Sequence, residues 1–91
     1  MRGSDFAELR AFAAIVEHGG FARAAAQLGM SASALSQTQR NLETRLGVRL
    51  LNRTTRSVAL TQAGEQLLAR LSPALAEIEA AVTQTAALRL Q

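Results

Sequence analysis

Between Gly20 and Leu60 the chain carries Arg23, Arg40, Arg45, Arg49, Arg53 and Arg56 against one acid, Glu43. Lysine is absent from all 91 residues, so the formal charge of +3 is carried by arginine alone. A guanidinium presents a planar fork of donors that fits phosphate oxygens and the edge of guanine. A cluster of one sign therefore points to a polyanion, the plainer alternative being a soluble basic face. Hydroxyl and amide side chains are interleaved with it. At 100° per residue Ser33, Ser36, Gln37, Arg40 and Thr44 gather on one side of a helix, with no acid among them. These are donors for base edges and phosphates.

Other chemistry lacks material. There is no cysteine, one histidine and one aspartate, which leaves no thiolate or paired-carboxylate site to assemble. The chain is read as not an enzyme, with no catalytic residue, no metal and no cofactor. His18 is read as solvated or as favouring a helix C-terminus. No stretch approaches the roughly 18 apolar residues of a membrane span, and no signal-like run opens the chain. A cytoplasmic protein without a membrane partner is expected.

The elements that must hold these side chains follow from periodicity and punctuation. Phe6, Leu9, Phe12, Ala13 and Val16 recur at helical spacing after an Asp5…Glu8 capping pattern, and Gly19-Gly20 stops that helix near His18. Met1-Arg2-Gly3-Ser4 (residues 1–4) is read as an added or disordered start, with folding expected near Asp5. A short alanine-rich helix over Phe21–Leu28 ends at Gly29. Ser31 then caps a third helix over Ala32–Leu46, whose apolar stripe of Leu35, Leu42 and Leu46 should face the core. Beyond Gly47 the period changes. Val48–Arg53 and Ser57–Leu60 flank Thr54-Thr55-Arg56 and predict a β-hairpin with an arginine-bearing tip. An isolated hairpin is marginal, so its apolar side must pack on the helices.

Thr61 caps a last helix in which Leu68, Leu71, Leu75, Ile78 and Val82 are spaced three, four, three, four. A seam that narrow wants a partner helix, and it predicts a homodimer through this element. Pro73 can kink the helix or start a new one; one helix with a bend is favoured here. The fold class is thus mainly α: three helices and a two-stranded β wing over residues 5–61, then a linker and dimerisation helix over 62–91. A protein-interaction module, with the heptad helix as its function, is the rival to a nucleic-acid reader.

Taken together the chain resembles the DNA-binding domain of the LysR-type transcriptional regulators, over essentially all of residues 5–88. The resemblance is carried by Phe21 through Leu28, Ser33-Ala34-Leu35-Ser36, Leu42-Glu43, Leu46-Gly47, Leu50-Leu51-Asn52-Arg53, Thr61 and Ala63-Gly64. It implies a winged helix-turn-helix that binds double-stranded DNA as a dimer on an interrupted inverted repeat. The third helix would enter the major groove, with Ser33, Ser36 and Gln37 at base edges and Arg40 on guanine or phosphate. Ser31 would lie at its edge, and Ala32 would touch a thymine methyl. The wing would follow the backbone into the flanking minor groove, Arg56 inserting and Arg53 clamping a phosphate. Arg23, Thr54 and Thr61 are further phosphate candidates, Thr61 equally a cap. Arg45 and Arg49 are expected to be solvated or paired with Glu43 and its neighbours. The resemblance also implies an effector-sensing domain, absent from this chain. Two positions depart from the family pattern. Gln39 stands where an aliphatic residue is usual, and is expected to tilt to the helix edge or bond to backbone. Gly20 stands where a hydroxyl residue usually caps the second helix.

Overall fold

A computed structural model of the chain describes residues 2–54 and 57–90. Its order is α1 (Gly3–His18), α2 (Phe21–Leu28), α3 (Ala32–Leu46), β1 (Leu51–Arg53), β2 (Val58–Leu60) and α4 (Gln62–Ala87), closed by a 3-10 turn at Leu88–Leu90. α2 and α3 occupy the expected spans. α1 opens at Gly3, two residues before Asp5, because the Asp5 carboxylate reaches back to accept the Arg2 backbone N–H at 2.9 Å. Asp5 is therefore the third residue of the helix and not its cap.

The turn between α2 and α3 is set by Gly29 at φ 68°, a left-handed conformation that glycine adopts without a Cβ clash. Met30 N–H bonds back to Ala25 O at 2.9 Å, completing the cap. Ser31 Oγ accepts from Ala34 N at 3.0 Å and starts α3. Gly20, as expected, gives α2 no side-chain cap.

Phe12 and Ile15 of α1, Ala24 and Ala25 of α2, Leu35 and Leu42 of α3, and Leu50 and Leu51 at the wing's root form the core. The two alanines let α2 lie close to its neighbours, as small side chains permit. Leu46 does not join this core. It is 48% exposed, because the last turn of α3 runs beyond the layer that covers Leu35 and Leu42. Gln39 is the reverse case: its side chain is wholly buried, and neither Oε1 nor Nε2 has a hydrogen-bond partner. The stripe position outweighs the polarity of the amide, so the residue neither tilts to the edge nor bonds to backbone.

The hairpin is shorter than its apolar pattern. It pairs Leu51 with Leu60, Asn52 with Ala59 and Arg53 with Val58 in antiparallel register, while Val48 is 44% exposed ahead of it. Glu43 Oε2 accepts from the backbone N–H groups of Leu50 (2.7 Å) and Leu51 (3.1 Å), fastening the hairpin to the end of α3. Thr61 fastens it to α4: its N–H donates to Leu50 O (3.0 Å), its hydroxyl donates to Arg49 O (2.6 Å), and Oγ1 accepts from Gly64 N (3.0 Å). Gly64 must lack a side chain here, since a Cβ would sit 2.1 Å from Leu50 O.

α4 continues unbroken through Pro73. Its 26 residues at about 1.5 Å each give a rod of roughly 39 Å. That rod accounts for a molecule 49 Å long and only 25 by 21 Å across. Leu67, Leu68 and Leu71 pack against the domain's own core, whereas Ile78 (44%), Val82 (64%) and Leu88 (65%) are exposed. No helix among the described residues is long and apolar enough to cross a membrane.

Candidate nucleic-acid interface

α3 turns its polar side outward beside the wing, and a chain of hydrogen bonds runs across that side. Arg40 donates through one terminal nitrogen to Ser36 Oγ (3.0 Å) and through the other to Gln37 Oε1 (3.0 Å). Gln37 Nε2 donates to Asn41 Oδ1 (2.9 Å), which orients the amide. These contacts arise from helical geometry, because residues three and four apart share a face. Ser33 and Thr44 are exposed on the same helix, and Ala32 is exposed at its start.

Arg53 reaches this surface from β1. Its guanidinium lies 4.3 Å from the centroid of the Phe21 ring and donates to Ser36 Oγ at 2.7 Å. One side chain thus joins α2, α3 and the wing. Burial lowers the Arg53 pKa from the ordinary arginine value; Glu43 opposes that shift, and the charges of Arg40 and Arg49 reinforce it. Two cations converge on one neutral oxygen, while Glu43, the acid of this segment, turns Oε2 to backbone N–H groups and forms no salt bridge with either arginine among the described residues.

The remaining acids lie elsewhere: Asp5, Glu8 and Glu17 on α1, and Glu65, Glu77 and Glu79 on α4. Arg45, instead of meeting Glu43, pairs with Asp5 at 3.2 Å and with Glu8. Arg10 and Glu79 form a loose exposed pair at 3.8 Å. The face built by α3 and β1 is therefore left electropositive, which is the condition for attracting a polyanion.

The other sequence-derived candidates are distributed around this face. Arg23 and Thr54 line one open depression, between the start of α2 and the wing, together with Ser57. Thr54 is engaged across the hairpin, where Ser57 N donates to its Oγ1 at 2.9 Å. Ser31 serves as the α3 cap. Thr61 fills the capping role of the two read for it, and the proton a phosphate would take is already donated to Arg49 O. Arg56, the candidate for minor-groove insertion, lies outside the described residues, as does Thr55. The sequence reading did not assign the roles of three contributors. Asn41 could have been found four residues beyond Gln37 on the same face; Glu43 was noted as the sole acid of a basic segment, but not its bonds to the wing's backbone. The ring of Phe21 under Arg53 had no local signal.

Comparison with known proteins agrees with this architecture. Residues 6–65 match the bacterial regulatory helix-turn-helix protein model of the lysR family. The HTH-type transcriptional regulator PgrR of Escherichia coli (strain K12) is 52% identical over 82 residues, covering 90% of this chain and 27% of PgrR. The chain thus spans about a quarter of the length of the curated relatives it matches. Among solved structures, the BenM DNA-binding domain in complex with catB site 1 DNA superposes with a TM-score of 0.81 at 33% identity, covering 90% of this chain and 92% of that one. The CbnR DNA-binding domain in its DNA complex gives a TM-score of 0.77 at 32% identity, with 91% and 95% covered. An α2–α3 pair joined by a glycine turn, a short antiparallel wing and a long terminal helix, together with the match over residues 6–65, establish that this chain belongs to the lysR family of bacterial regulatory helix-turn-helix proteins.

Proposed function

We propose that this chain is the DNA-reading part of a bacterial transcriptional regulator and binds double-stranded DNA as a homodimer. The observation that carries the reading is the electropositive face of α3 and β1, where Arg40 and Arg53 converge on Ser36 and neither forms a salt bridge among the described residues. α3 enters the major groove. Gln37, with its amide oriented by Arg40 and Asn41, keeps one N–H and one lone pair for a base edge, and Ser33 and Ala32 lie on the approach. The wing follows the backbone, with Arg56 entering the flanking minor groove. Arg23 meets a phosphate beside Thr54. The similar BenM and CbnR domains are solved in complex with DNA, which supports duplex DNA as the partner.

Dimerisation runs through α4. Ile78 and Val82 leave an apolar strip that the domain itself does not cover, and Leu75 continues it toward the core-packed Leu71 and Leu68. Two copies related by a twofold axis carry two α3 helices to half-sites of an interrupted inverted repeat. The full protein works in the cytoplasm and continues into an effector-sensing domain beyond the segment described by this chain.

Selection from random duplex DNA tests the reading. Enrichment of an interrupted inverted repeat is the expected result. An unenriched pool from protein that is folded and dimeric would contradict it.

A further inference from the structure

Ser36 has one proton and two lone pairs to place. Both lone pairs are taken, by Arg40 at 3.0 Å and Arg53 at 2.7 Å, and a guanidinium can only donate. A helical serine or threonine commonly returns its own proton to the carbonyl four residues earlier, as Thr38 does to Ala34 O at 3.0 Å. Ser36 makes no such bond among the described residues, so its hydroxyl proton is left for an outside acceptor. Arg53, for its part, is held by the Phe21 ring below and by Ser36 beside it, one terminal nitrogen being engaged with the hydroxyl.

We propose that Arg53 is a positioning residue which, with Arg40, fixes the Ser36 hydroxyl as an obligate hydrogen-bond donor, so that wing and recognition helix read DNA as one unit. This rests on the DNA-binding reading above. The group Ser36 recognises must be an acceptor: a purine N7, guanine O6, thymine O4 or a phosphate oxygen. Cytosine is rejected, because its major-groove edge offers an amino donor to a donor already flanked by two cations.

The test uses the 91-residue chain with Ser36→Ala, Arg53→Ala, Arg53→Lys and the Ser36→Ala/Arg53→Ala pair, each checked for its melting transition. Affinity for the selected operator, its salt slope and the base preference at every operator position are measured. Each single alanine variant is expected to lose about tenfold in affinity, and the double variant little more, because both break the same contact. Arg53→Lys, which keeps the charge but not the planar fork that stacks on Phe21, should fall with Arg53→Ala. If the acceptor is a base, Ser36→Ala and Arg53→Ala both admit cytosine at one shared position. If it is a phosphate, both leave base preference intact and weaken all sequences alike. Additive losses, with Arg53→Ala alone lowering the salt slope by about one, would make Arg53 its own phosphate clamp and overturn the proposal. Wild-type affinity in Arg53→Lys would overturn it equally. Absence of any sequence preference in the wild type would sink the DNA-binding reading itself, and this proposal with it.

Discussion

The two ends of the molecule leave opposite needs unmet. At the α2–α3–wing end, polar side chains are tied to one another and the positive charge is in excess: Arg40 and Arg53 share Ser36, and Glu43 turns one oxygen to the backbone. Along the far half of α4 the charges are sparse and the apolar residues are bare, Ile78 and Val82 among them. A small domain cannot cover every apolar residue of a rod of about 39 Å, and one acid does not balance a face where cations outnumber it. The difference teaches that the two ends suit different kinds of partner: an electropositive face fits a polyanion, and a bare apolar strip fits another apolar surface.

Four changes would break or sharpen that contrast. The largest effect is expected from Ile78→Asp together with Val82→Asp, which puts charge on the apolar strip and leaves the arginine face untouched. Sedimentation should show monomers with unchanged helical content by circular dichroism. Operator affinity should fall at least about 100-fold as bivalency is lost. Retained affinity would mean that the two ends do not cooperate.

Gly64→Ala attacks the junction between the ends. A Cβ at 2.1 Å from Leu50 O must displace the backbone that Thr61 and Glu43 hold in place. Overpacking of this kind costs about 3 kcal/mol, read by chemical denaturation at fixed protein concentration. Next is Gln39→Leu, inside α3 but facing away from its exposed polar side. Removing a buried amide with no partners should stabilise the fold by about 1–3 kcal/mol while leaving operator preference unchanged. A variant melting below wild type would show that the amide is satisfied after all.

The smallest effect is pH dependence at the Asp5–Arg45 contact. The Arg2 backbone N–H lowers the Asp5 pKa; partial burial opposes this, and the Arg45 charge adds to the lowering. A depressed carboxylate contributes stability that is complete above its unfolded value of about 3.9 and is lost as pH falls through the folded one. Asp5→Asn should therefore flatten the fall in melting temperature below about pH 4, with a small change near neutrality because solvent screens the pair.

Much of the scaffold was legible because its signals are local. Gly29 and Gly47 bracket α3, and Ser31 and Thr61 cap the helices they precede. Residues 21–28 and 32–46 form the helices their pattern predicts. What escaped is non-local. A single acid in a basic segment invites pairing with the nearest arginine, yet Glu43 is needed by two backbone N–H groups that become neighbours only when the wing docks. Arg45 consequently finds its acids on α1. Gln39 follows the helical stripe into the core, although its chemistry argues against burial. Arg53 was legible as a cation on the wing; its seat on Phe21 was not.

The salt dependence of affinity for duplex DNA reports most directly on whether the electropositive face meets phosphates. For the wild-type protein, log K should fall linearly with log salt, with a slope of about −0.9 for each phosphate contacted and hence several units in total. A binding constant that hardly changes between low and physiological salt would contradict the account at its root.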